Sequence, residues 1–114
     1  MHITIYHNPR CRKSREALQI LQEKGLEPEI IQYLKEVPSV DELDVLFKKI
    51  GIEPQEGIRK GEKDFQENFK GKELSRSEWL KAIHDYPKLL ERAVVVNGDK
   101  AIIARPPEKA LEVL

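Results

Sequence analysis

The first 34 residues switch hydrophobic period twice, and this switch restricts the fold more than any other feature. His2 to Tyr6 predicts a strand, with β-branched Ile3, Thr4 and Ile5. Asn8-Pro9 predicts a turn. Ser14 to Lys24 predicts a helix, with Ala17, Leu18 and Leu21 at helical spacing and Gly25 as its stop. Glu29 to Leu34 predicts a second strand. Strand, helix and strand in this order form a βαβ unit, whose two strands run parallel.

Helical signals then dominate. Ser39-Val-Asp-Glu42 is a capping box. Leu43, Leu46, Phe47 and Ile50 follow on one face, and Gly51 ends the helix. Residues 53–71 are polar, with a short helix expected near Glu56–Arg59. Ser75-Arg-Ser-Glu78 is a second capping box, with Trp79, Leu80 and Ile83 as its buried stripe and Pro87 as its stop. Strand signals return at Ala93-Val-Val-Val96 and Lys100-Ala-Ile-Ile-Ala104, joined by a tight turn at Asn97-Gly-Asp99. Pro106 or Pro107 opens a last helix, Glu108 to Leu114. This α/β order, βαβ then ββα, is that of a thioredoxin-like fold with a mixed four-stranded sheet. The expected organisation is a single domain over residues 1–114 with a helical insertion at about 39–91 between the halves.

Bulk properties exclude several classes. Lys+Arg and Asp+Glu both number 20, so net charge points to neither nucleic acid nor membrane. No apolar run approaches the ~18 residues a membrane span needs. One cysteine makes neither an internal disulfide nor a cysteine zinc site, and His2, His7 and His84 lack metal-ligand spacing. No metal site is expected. The N-terminus reads as a strand rather than a signal peptide, so a cytoplasmic setting is expected.

The single cysteine, Cys11, falls between the first strand and the first helix. Taken alone, a lone cysteine reads as a small buried hydrophobe. A thiol at a helix start, however, meets unpaired N–H groups and the positive end of the helix dipole, both of which favour thiolate. Arg10, Arg12, Lys13 and Arg15 add positive charge, and His7 lies four residues before it. Ser14 stands where a Cys-x-x-Cys motif has its second thiol. A hydroxyl there is able to donate to the sulfur but not to form a disulfide. Any redox cycle through Cys11 must therefore borrow an external thiol.

Tyr6-His-Asn-Pro-Arg-Cys-Arg-Lys-Ser-Arg15 resembles the active-site loop of the glutaredoxin-dependent arsenate reductase (ArsC-like) family. The resemblance continues through Glu27–Leu34, Pro38–Leu43, Gly57–Lys60, Leu90–Val96 and Ala104–Glu108, which is nearly the whole chain. It implies that Cys11 is the nucleophile and that Arg59, Arg92 and Arg105 bind the oxyanion. It also implies that His7 helps to hold the thiolate; by their own chemistry and position, Ser14 and Arg15 are expected to support it. The implied reaction reduces arsenate to arsenite through a Cys11 adduct, with glutathione as co-substrate and glutaredoxin as final reductant, and it needs neither a metal nor a bound cofactor. Guanidinium groups suit a tetrahedral dianion, and N–H groups of residues 12–14 at the helix start would complete the cradle. A monomer is expected. The basic triplet Arg10, Arg12 and Lys13 is richer than arsenate binding requires and also suits glutathione or an acidic partner.

One departure stands out. The family's usual Arg-Pro before the third strand is here Arg92-Ala93. A cis bond at a non-proline residue costs ~2.5–4 kcal/mol, so either the bond is trans and Arg92 points differently, or local packing supports a cis bond; trans is expected. Two alternatives follow. One is an ArsC-like relative without arsenate activity that acts on glutathione mixed disulfides. The other is a regulator related to Spx that binds RNA polymerase, although Ser14 argues against its usual two-cysteine switch.

Overall fold

The computed structural model describes residues 2–114, which divide into two compact units. The first comprises the chain up to Glu36 together with Arg92–Leu114, and the second is Val37–Glu91.

In the first unit, strand β1 (Ile3–Tyr6) leads to helix α1 (Arg12–Glu23) and strand β2 (Glu29–Ile31). β1 and β2 pair in parallel, as the βαβ pattern predicts, with Ile5 opposite Ile30. Strands β3 (Val94–Asn97) and β4 (Lys100–Ile103) close a four-stranded sheet of order β2-β1-β3-β4. β3 is antiparallel to both of its neighbours, so the sheet is mixed and thioredoxin-like. The β3–β4 turn uses Gly98 at φ 62°, a left-handed conformation that glycine adopts without a Cβ clash. One core joins Ile3 and Ile5 of β1, Ala17 and Leu21 of α1, Val95 of β3, and Ala110 and Val113 near the C-terminus.

Three elements of this unit differ from expectation. β2 stops at Ile31 rather than Leu34, because β1 ends opposite it at Tyr6. After one further bond, from His7 N–H to the Ile31 carbonyl, the chain turns at Gln32. Helix α1 starts at Arg12 rather than Ser14, with Cys11 itself in the N-cap position. The last helix is a 3₁₀-helix, Pro107–Val113, rather than an α-helix from Glu108. Its geometry follows from packing: Pro107, Ala110 and Val113 are the buried residues, three apart, and three residues per turn places them on one stripe.

The second unit is helical. α2 (Val40–Ile50) is capped by Ser39, whose hydroxyl accepts from the Glu42 N–H, and it ends at Gly51 with φ 83°. A 3₁₀ turn at Pro54–Gly57 lies just ahead of the expected Glu56–Arg59 helix. α3 (Lys63–Asn68) has no counterpart among the sequence expectations, because only Phe65 is buried on it and the apolar period is too short to read. α4 (Arg76–Asp85) opens on the Ser75 capping box and buries Trp79, Leu80, Ala82 and Ile83. Arg76 ties this helix to Asp44 of α2 at 3.0 Å and to Glu53 at 3.0 Å. Trp79 packs against Phe65 and Phe69. A last 3₁₀ turn covers Pro87–Leu89, after which Ile58 and Leu90 form an antiparallel bridge. Among the described residues, no helix is long and apolar enough to cross a membrane.

Candidate functional site

The loop after β1 is built by Asn8. Its carbonyl accepts the Cys11 N–H at 3.0 Å, closing a β-turn with Pro9 at the second position. Its side-chain oxygen accepts the Arg10 N–H at 3.0 Å. Its own N–H donates to Ser14 Oγ at 3.0 Å. His7 Nδ1 lies 2.7 Å from the same hydroxyl. Ser14 is fully buried, and His7 and Asn8 are nearly so. The hydroxyl of Ser14 therefore clamps the loop to the first turn of α1. The Asn8-Pro9 turn signal marks this loop, but nothing local in the sequence reveals the hydroxyl's two partners.

Cys11 is half-buried at the N-cap of α1, and its side chain caps nothing. Burial pushes its thiol pKa up. A hydrogen bond from Arg92, the Ser14 N–H, the Arg92 charge and the Lys13 N–H act the other way, and the pKa lies below the ordinary thiol value. Ser14 thus reaches the sulfur through its backbone N–H, whereas the sequence suggests its hydroxyl.

The cation acting on the thiol is Arg92, some 80 residues further along the chain, and not the basic loop. Arg12 and Lys13 pair with Glu16, and Arg15 donates to the Pro9 carbonyl. Burial and then the charge of Arg15 lower the pKa of His7, which favours the neutral ring. Its contact is with Ser14.

The expected trans bond at Arg92–Ala93 is a misreading: the bond is cis. The expectation used the preference of an isolated peptide. Here Ala93 is wholly buried and its carbonyl accepts the Ala104 N–H at 2.8 Å, so tertiary context sets the bond. Arg92 reaches Cys11 in this geometry. Its Nε is buried and has no hydrogen-bond partner among the described residues. A buried donor left open beside a lowered thiol suits an acceptor-rich anion.

Arg105 belongs to the same unit, exposed just after β4, where the Arg105–Pro106 bond is also cis. Arg59 belongs to the second unit and pairs with Glu62 at 3.3 Å. Among the described residues, no group of three or more His, Cys, Asp or Glu is placed to hold a metal ion.

Comparison with known proteins extends this description. The model of the ArsC family matches residues 6–113. An arsenate reductase of Haemophilus influenzae is 44% identical over 116 residues, with both chains covered fully. One of Neisseria meningitidis is 39% identical, covering 98% of this chain and 97% of its own. The solved arsenate reductase from Vibrio cholerae superposes with a TM-score of 0.96 at 41% identity, covering 100% of this chain and 98% of that one.

Proposed function

Because the chain belongs to the ArsC family, we propose that it is a thiol-dependent oxidoreductase that reduces arsenate to arsenite. The observation that carries this reading is the half-buried Cys11 thiol at the N-cap of α1, acted on by Arg92, whose buried Nε has no hydrogen-bond partner among the described residues.

The Cys11 thiolate attacks arsenic(V), forming a sulfur–arsenic bond while one oxygen leaves as water. The thiolate of glutathione then attacks the Cys11 sulfur of the adduct, and the sulfur–arsenic bond breaks as a disulfide forms between Cys11 and glutathione. Making that disulfide transfers two electrons to arsenic, which departs as arsenite. Two thiol protons and one arsenate oxygen are accounted for in the water released. Glutaredoxin reopens the mixed disulfide by thiol exchange. The external thiols are required because no second cysteine exists in the chain.

Arg92 stabilises both the thiolate and the charge on the oxyanion. The N–H groups of Lys13 and Ser14 at the start of α1 add neutral donors. His7 and Ser14 hold the loop, and Arg15 braces it through the Pro9 carbonyl. The family resemblance adds Arg59 and Arg105 as the other oxyanion-binding guanidiniums.

The test is arsenite production from arsenate with glutathione and glutaredoxin. The native chain is expected to turn over and Cys11→Ser to be inactive. Absence of arsenite from the native chain would refute the proposal.

A further inference from the structure

We infer that Glu62 is a resident competitor for the oxyanion: its carboxylate occupies the Arg59 guanidinium in the free protein and thereby sets the affinity for substrate. The inference rests on the proposed oxyanion-binding role of Arg59.

The backbone of Arg59 is firmly held. Its N–H donates to the Leu89 carbonyl at 2.7 Å, and the Glu91 N–H donates to the Gly57 carbonyl at 2.9 Å. Between these bonds Ile58 and Leu90 face each other as a buried pair. The following turn is closed as well. The Glu62 N–H donates to the Arg59 carbonyl at 3.1 Å, and Gln66 Nε2 donates to the Lys60 carbonyl at 2.6 Å. With the main chain hydrogen-bonded on both sides, the guanidinium is most readily moved by side-chain rotation. The partner that the structure gives it is Glu62, with Nη1 to Oε2 at 3.3 Å.

This pair is not an ordinary surface contact. The two side chains are 24% and 27% exposed, against 84% for Arg12 in its pair with Glu16. Glu62 occupies the N-cap position of α3, yet its carboxylate makes no cap hydrogen bond. It is turned to Arg59 instead.

A carboxylate and an arsenate dianion present the same chemistry to a guanidinium, namely oxygen acceptors with negative charge. They also repel each other. An oxyanion gains Arg59 only by displacing Glu62 or by bearing its negative charge nearby. Glu62 is therefore a positioning residue that weakens anion binding at Arg59.

The test is Glu62→Gln, which keeps an oxygen acceptor for Arg59 and removes the charge. From the strength of partly screened ion pairs, KM for arsenate is expected to fall by about threefold or more, with kcat lowered by no more than about twofold. A damaged fold would instead raise KM and lower kcat. In an Arg59→Ala background the same substitution is expected to lower KM by clearly less, because the competition for the guanidinium is gone and only direct charge repulsion remains. An unchanged or raised KM in Glu62→Gln, or an equal fall without Arg59, overturns the inference.

Calorimetric titration of arsenate into Cys11→Ser, with and without Glu62→Gln, separates this inference from the reaction it rests on. Tighter arsenate binding on loss of the Glu62 charge upholds the inference even in a protein that forms no arsenite. Equal binding, beside normal turnover by the native chain, sinks the inference alone.

Discussion

At Cys11, burial and hydrogen bonding pull the thiol in opposite directions, and the balance lowers its pKa from the ordinary thiol value. Arg92 contributes to that balance twice, through a hydrogen bond and through charge. Replacing Arg92 by alanine removes both and leaves burial opposed only by two N–H groups. The thiolate absorbance of Arg92→Ala is therefore expected to titrate at clearly higher pH than that of the native chain. An unshifted curve would mean that the helix start alone holds the thiolate. The basic loop, which looks from the sequence like the natural source of positive charge, spends its cations elsewhere: Arg12 and Lys13 on Glu16, and Arg15 on a carbonyl. Proximity along the chain was misleading because a helix start turns successive side chains in different directions.

The junction of β1 and α1 is a unit in its own right. His7, Asn8 and Ser14 make it through one buried hydroxyl. Neutral His7 gives this junction a pH dependence of definite sign. In the unfolded chain the ring takes its proton near the ordinary histidine value, whereas in the native protein it resists protonation to lower pH. Between the two values the unfolded state binds more protons, so stability falls as pH falls. The contribution is fully present above the unfolded pKa and is lost as pH drops through the lowered native value. Urea unfolding at about pH 7 and about pH 5 should show this loss, and His7→Gln should show a shallower one. Equal pH dependence in the two proteins would place the sensitivity elsewhere. Elements such as the Ser39 and Ser75 caps were legible because a cap is a local motif of four residues. α3 was not, since a six-residue helix with one buried side chain has no period to detect.

In the whole molecule, the sheet core carries the site. Leu21 of α1 is fully buried beside Ile5, Ala17 and Val95. Leu21→Ala is expected to reduce the unfolding free energy by roughly 2–5 kcal/mol, measured by urea denaturation. A change below about 1 kcal/mol would mean that the core closes around the deletion more readily than packed interiors do. The alternation of strand and helix periods and the capping boxes were enough to determine the order of elements apart from α3, the parallel β1–β2 pair and the mixed sheet. These depend on residues close together in the chain, whose spacing decides which face is apolar. The position of Cys11 at a helix start was determined in the same way. Tertiary structure alone decided that Arg92 is the cation at the sulfur, that Ser14 offers it an N–H while its hydroxyl clamps the loop, and that Arg92–Ala93 is cis. Each depends on groups brought together by sheet pairing and burial, where local preference yields to the environment that the rest of the chain supplies.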